Sequence, residues 1–208
     1  MIKPDFEGAR DFALELLETQ LPDWLIYHSI AHTRDNVVPA AERIAKMEGV
    51  EGENLMLLKT AAYYHDLGHI ERSRDHEMTS IRIAQENLPK FNYTPEQLKK
   101  IADLIMATRM PQTPSNHLGE ILADADLDML GSADYFERNL DLRKELASAG
   151  TTYTDLEWYL EELELLGNHR YFTKSARSLR DAGKQRNLEA VKELINQLKQ
   201  EQHVDLEK

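Results

Sequence analysis

Leu55-Met56-Leu57-Leu58-Lys59-Thr60-Ala61-Ala62-Tyr63-Tyr64-His65-Asp66-Leu67-Gly68 is the stretch that decides how the chain is read. Leu55, Leu58, Ala61, Ala62 and His65 recur at three- and four-residue spacing, the period of a helix with an apolar face, and Gly68 supplies its stop. The face that must turn inward finishes on His65-Asp66. A carboxylate carried into a core is costly unless it is paired or bound to a cation. This helix therefore asks for a polar partner.

The same period runs outward in both directions. Phe6, Ala9, Ala13, Leu16 and Leu17 form a face between Pro4 and Pro22. Ile30 to Met47 carries Val37, Val38, Ala41, Ile44 and Ala45, with a kink expected at Pro39 and a stop at Gly49. A fourth helix is predicted from near Asp75 to Leu88. Thr94-Pro95-Glu96-Gln97 is a capping box that opens a fifth through Ile101, Ala102 and Ile105. Leu118, Ile121, Leu122 and Ala125 continue the pattern to Gly131. Ser132 and Thr154 are the expected N-caps of two more helices, and Thr154-Asp155-Leu156-Glu157 is a second capping box. The last helix is expected from about Thr173 to Gln200, with Gly183 inside it. No segment alternates with period two. The prediction is an all-α bundle of about eight or nine helices around one core. Residues 1–200 are expected to form a single domain, and 201–208 a frayed tail.

Composition narrows the partners. The 208 residues hold 25 Lys and Arg against 37 Asp and Glu, a formal net charge of −12. That balance opposes phosphate-tracking on duplex nucleic acid, but it allows a small anion where positive charge is concentrated. There is no cysteine, which excludes disulfides, iron–sulfur clusters and thiolate nucleophiles. No apolar run reaches membrane-spanning length. The expectation is a cytoplasmic protein with no membrane partner, and a homodimer is left open.

Five of the eight histidines, His28, His32, His65, His69 and His76, fall in the first half, in or beside apolar helices. Asp126 is another acid in an apolar helix, within Ile121-Leu122-Ala123-Asp124-Ala125-Asp126-Leu127. His32, His65, Asp66 and Asp126 are two imidazoles and two carboxylates on three apolar helices, a donor set suited to a divalent transition metal. Asp124 and Asp128 read as a solvated or capping pair.

The ordered series His32, His65-Asp66, Asp126 resembles the signature of the HD-domain metal-dependent phosphohydrolases. The flanks agree: Tyr27-His28 and His32-Thr33-Arg34-Asp35-Asn36-Val37-Val38, then Ala61 to Gly68, then Asp124 to Gly131. The tail Asn168-His169-Arg170-Tyr171-Phe172-Thr173, with Ala176-Arg177, Lys184 and Asn187-Leu188, is similar to a subgroup of predicted hydrolases of that kind. The resemblance covers about residues 25 to 190. It implies an all-helical fold, with His32, His65, Asp66 and Asp126 as ligands of one divalent ion (Mn, Fe, Co, Ni, Zn or Mg). It also implies hydrolysis of a small, nucleotide-like phosphate ester by a metal-activated water.

Departures from relatives matter. Leu67-Gly68-His69-Ile70 replaces the acidic pair of guanosine-tetraphosphate hydrolases. Two-metal relatives add two histidines before the final Asp. His76 is a candidate for the first, but Ala107-Thr108-Arg109 stands where the second is expected.

Within this frame Asp66 and His69 are the catalytic candidates, His69 as a proton relay or phosphate contact. His28 and His76 are candidates to orient the ligands or to hold a second ion weakly. Arg170, Arg177 and Lys184, with Arg143, are the candidate phosphate-binding cations. The structural alternative for these cations is salt bridging to the acidic stretch Asp155 to Glu164. Two other functions stay open: a di-iron oxygenase sharing His-Asp-x-x-His (His65 to His69), and a non-catalytic sensor of a phosphorylated ligand.

Overall fold

The computed structural model describes residues 3–206, with side chains described as far as Glu201. Among the described residues there are nine α-helices and no strand. They are α1 (Phe6–Gln20), α2 (Val38–Met47), α3 (Gly52–Tyr64), α4 (His76–Asn87), α5 (Pro95–Met106), α6 (His117–Asp126), α7 (Tyr135–Ser148), α8 (Asp155–Asn168) and α9 (Lys174–Leu206). The all-α prediction holds. The chain falls into two compact units, Met1–Asp128 and Met129–Lys208.

In the first unit α3 is the central element, packed against α1, α2, α5 and α6. Leu57, Leu58 and every residue from Thr60 to Tyr64 are buried, so the last five residues of this helix are enclosed all round rather than faced on one side. α1 contributes Ala9, Ala13 and Leu17, α5 Ile101, Leu104 and Ile105, and α6 Ile121 to Ala125. The capping box at Thr94 forms as read, with Thr94 and Gln97 exchanging side-chain and backbone bonds.

The kink expected at Pro39 takes the form of a π-helical turn, His32–Val37, leading into α2. Proline has no N–H and its ring crowds the carbonyl four residues back. The wider turn accommodates both, and His32 is its first residue.

The second unit is built from α7, α8 and α9. Thr154 caps α8 in a full capping box, and Thr173 accepts the Ala176 N–H at the start of α9. Ser132 does not cap α7. Asp134 occupies that position and the Ser132 hydroxyl donates to its carboxylate. Gly183 has a packing reason to sit inside α9, since a Cβ there would lie 2.0 Å from the Gly131 carbonyl oxygen. Where a frayed tail was expected at 201–208, the α9 backbone continues as helix to Leu206, and 207–208 lie outside the described residues.

Candidate metal centre

Three local devices hold the His65-Asp66 corner. α3 ends at Tyr64, and the chain turns through a 3-10 segment, Leu67–Ile70, before α4. The buried Ser80 hydroxyl of α4 donates to the His65 carbonyl and accepts the Gly68 N–H. Gly68 lies flat against the first residue of α4, where a Cβ would meet the His76 carbonyl oxygen at 1.9 Å. Only glycine fits that approach. Asp75, which precedes α4, adopts the left-handed region at φ 53° and is paired with Arg109 at 2.6 Å.

These devices bring the four predicted ligand residues together. His32 Nε2 lies 3.6 Å from Asp66 Oδ2 and 3.5 Å from Asp126 Oδ1. His65 Nε2 lies 3.2 Å from Asp66 Oδ2 and 3.4 Å from Asp126 Oδ1. Donors about 2.1 Å from a shared ion stand about 3.0 Å apart at right angles and about 3.4 Å apart in a tetrahedron. The spacing fits one ion at the centre. His65 Nδ1 is 2.8 Å from the Ala62 carbonyl, which requires the N–H on Nδ1 and turns the Nε2 lone pair toward the carboxylates. His32 Nε2, His65 Nε2 and Asp66 Oδ2 are all buried without a hydrogen-bond partner. A lone pair facing two carboxylate oxygens needs a proton or a cation between them. The donor set and its orphaned atoms therefore fit a divalent ion.

Without an ion the cluster manages its charge through protons. Burial disfavours charge on His65, yet Asp66 and Asp126 outweigh it and hold the imidazole well above its ordinary value. Burial likewise acts to raise Asp126, but the facing His32 and His65 imidazoles bring it down to about 2. Asp66 is held well below the carboxylate range against its own burial, chiefly by His65. The cluster keeps an open edge. The Asp126 and His76 side chains are each 18% exposed, while that of His65 is 1%.

A second group faces the other oxygen of Asp66. His76 Nε2 is 3.3 Å and His69 Nε2 4.0 Å from Asp66 Oδ1. The His69 ring stacks with both neighbours, its centroid 4.3 Å from His28 and 4.0 Å from His76. Burial pushes His69 down to about 2, so the ring is neutral, and neither of its nitrogens has a partner. His28 meets His32 edge-on at 5.8 Å. Glu77 is buried, with Oε1 3.8 Å from His76 Nε2. Asp124, expected to be solvated, is fully buried, because its stretch of α6 is enclosed. Asp128 holds Arg43 in a bidentate pair.

The candidate phosphate-binding cations all lie in the second unit. Arg143 engages Asp155 and the Tyr153 carbonyl. Arg170 donates to the Gly167 and His169 carbonyls, and Arg177 to those of Tyr171 and Phe172. Lys184 is buried and donates to the His169 carbonyl. Of the four, Arg143 bridges to the acidic stretch of α8; the other three bond backbone carbonyls around the α8–α9 connection.

Comparison with known proteins agrees with this geometry. The HD domain family model matches residues 26–128. Among curated proteins none matches the chain. Three solved structures share the fold. A predicted HD superfamily hydrolase from an uncultured Thermotogales bacterium is 20% identical, with a TM-score of 0.63 over 94% of each chain. A structural-genomics protein from Lactobacillus plantarum is 19% identical, with a TM-score of 0.70 over 98% of this chain and 100% of that one. Bacillus subtilis YpgQ, solved in complex with ADP, is 21% identical, with a TM-score of 0.64 over 95% and 94%. The matched segment contains His32, His65, Asp66 and Asp126, and residues 26–128 of the chain form an HD domain.

Proposed function

We propose that the protein is a metal-dependent phosphohydrolase that cleaves a small, nucleotide-like phosphate ester. One observation carries the reading: two imidazole nitrogens and two carboxylate oxygens converge at ligand spacing, and three of these four atoms are buried without a protein partner. His32, His65, Asp66 and Asp126 would hold the ion. A bound divalent cation supplies an acidified water near neutral pH and a Lewis acid for a phosphoryl oxygen.

The chain's own residues do the rest. The Ala62 carbonyl fixes the His65 tautomer, and Ser80 fixes the backbone on both sides of Asp66. The apolar enclosure by α3 and α6 keeps bulk water from the inner face of the site, which strengthens every charge interaction within it. The open edge at Asp126 and His76 is the side on which a substrate can enter. YpgQ's complex with ADP supports a nucleotide-like substrate.

The test is phosphate release from a panel of phosphomonoesters and cyclic nucleotides with Mn²⁺, Co²⁺, Ni²⁺ or Mg²⁺. Turnover by the wild type and none by His65→Ala is the expected result. Equal, background-level release by both overturns the reading. Oxygen uptake by Fe²⁺-loaded protein without phosphate release would replace it with the oxygenase alternative.

A further inference from the structure

We propose that the α8–α9 connection of the second unit is a binding site for a phosphate-class anion, held by Lys184, Arg170 and the His169 ring. The inference stands apart from the metal centre and does not depend on it.

Positive charge converges on this connection. The Lys184 ammonium donates to the His169 carbonyl at 2.5 Å, and the Arg170 guanidinium donates to the same oxygen at 2.7 Å. Arg177 donates to the carbonyls of Tyr171 and Phe172. Lys184 is 8% exposed. Among the described residues its partners are His169 and the Tyr171 ring, and no carboxylate pairs with it. The acid that acts on it is Asp181, from an exposed position.

A helix cap explains only part of this. His169 is the C-cap of α8, and the carbonyl end of a helix carries about half a negative charge. One cation offsets that. The others leave the connection positive in a chain whose formal net charge is −12, and such a concentration attracts an anion.

His169 supplies the independent observation. Its Nδ1 is 3.3 Å from Lys184 Nζ. An ammonium only donates, so Nδ1 accepts and the neutral ring carries its proton on Nε2. Burial, with Lys184 and Arg170 beside it, pushes this imidazole down to about 4, so the ring is neutral at neutral pH. Its Nε2–H is therefore a donor, and it is buried without a partner. An orphaned donor among cations calls for an acceptor that carries negative charge. The sign is opposite to that at the metal centre, where His65 Nε2 is orphaned as a lone pair.

The donors select the class of anion. Arg170 uses one amino group on the Gly167 and His169 carbonyls. Its Nε and its other amino group form the planar edge that meets two oxygens of a phosphate. A phosphate group offers oxygens to that edge and to an imidazole N–H at once, and carries about −1.5 to −2 charge against the excess of cations.

The test is titration of chelator-treated, full-length protein, ¹⁵N-labelled at histidine, with inorganic phosphate and in parallel with AMP. Saturable binding of one phosphate per chain is expected. It should move the His169 ring resonances, identified by their loss in His169→Gln, and leave those of His65 in place. Arg170 is exposed, so Arg170→Gln should keep the wild-type circular dichroism and weaken phosphate binding about tenfold, the scale of one charge-assisted bond. Phosphate should also raise the melting temperature of the wild type more than that of Arg170→Gln, which loss of a cap alone would not produce. AMP binding tighter than phosphate identifies an ester phosphate as the occupant; AMP no tighter identifies the free ion. No saturable binding of either anion overturns the site. So does binding that shifts His65 instead of His169, or that Arg170→Gln leaves at wild-type strength.

Discussion

Both units bury ionisable groups, but they treat them differently. In the second unit Tyr135 donates to Glu162 at 2.7 Å, Asn139 also donates to Glu162, and Trp158 Nε1 donates to Asn139 Oδ1 at 2.6 Å. Burial lifts the Glu162 carboxyl above its ordinary value, yet its partners are protein groups. In the first unit His32, His65, Asp66 and His69 all carry buried atoms with no partner, whereas among the described residues of the second only His169 Nε2 does. A buried polar network whose members satisfy one another rigidifies a fold. One whose lone pairs converge on nothing is shaped for something outside the protein. The contrast separates a structural cluster from a functional one without reference to sequence motifs.

The most severe way to break the comparison is to remove a ligand. Asp126→Asn should abolish high-affinity metal uptake and lower turnover by about 10³-fold, the rate equivalent of about 4 kcal/mol. Metal analysis and steady-state kinetics check it, and a variant that keeps both would show that Asp126 is only structural. The next largest effect falls on Gly68. Gly68→Ala drives a Cβ into the His76 carbonyl and should cost about 3 kcal/mol or more of stability. Urea unfolding measures it.

On the other side of the comparison, Tyr135→Phe leaves Glu162 short of a donor. It should cost about 1–3 kcal/mol while leaving metal uptake unchanged. Loss of metal binding in that variant would contradict the separation of the two clusters.

Proton titration sharpens the comparison further. His65 and His76 are raised above the ordinary 6.5, while Asp126 is lowered from 3.8 to about 2. Stability from the two histidines is full below 6.5 and is lost as pH rises through their folded values. Stability from Asp126 is full above 3.8 and is lost as pH falls toward about 2. Ion-free protein should therefore lose thermal stability as pH rises above the ordinary histidine value of 6.5 through these histidines. Ligation needs unprotonated imidazole, so Mn²⁺ should raise the melting temperature most at the alkaline end. Scanning calorimetry with and without Mn²⁺ checks both signs. The smallest effect is expected at the caps: Thr94→Ala and Thr154→Ala should each cost about 1 kcal/mol and leave Mn²⁺ uptake unchanged.

Helix positions and the four converging residues, His32, His65, Asp66 and Asp126, were legible for a shared reason. Both depend on local period and residue type: Thr94 and Thr154 name their own capping boxes, and an acid such as Asp66 or Asp126 in an apolar helix announces a buried partner. Ser132 failed as a cap because Asp134 competes for the same turn, a choice made by backbone geometry. Asp124 looked like a solvated acid, but the enclosure of α6 buries it. His28 and His76 were read as residues beside the ligand set, but their spacing did not tell that both rings stack with His69.

By itself the sequence determined an all-helical chain, its caps and stops, and the four residues that meet at one point, because helical period and the cost of buried charge are written residue by residue. Only the tertiary structure decided which oxygen of Asp66 faces which histidines, that three imidazoles stack beside it, and that Arg170, Arg177 and Lys184 bond backbone carbonyls. Those outcomes depend on side-chain direction and on close approaches such as Gly68 against His76, distances that no linear spacing contains.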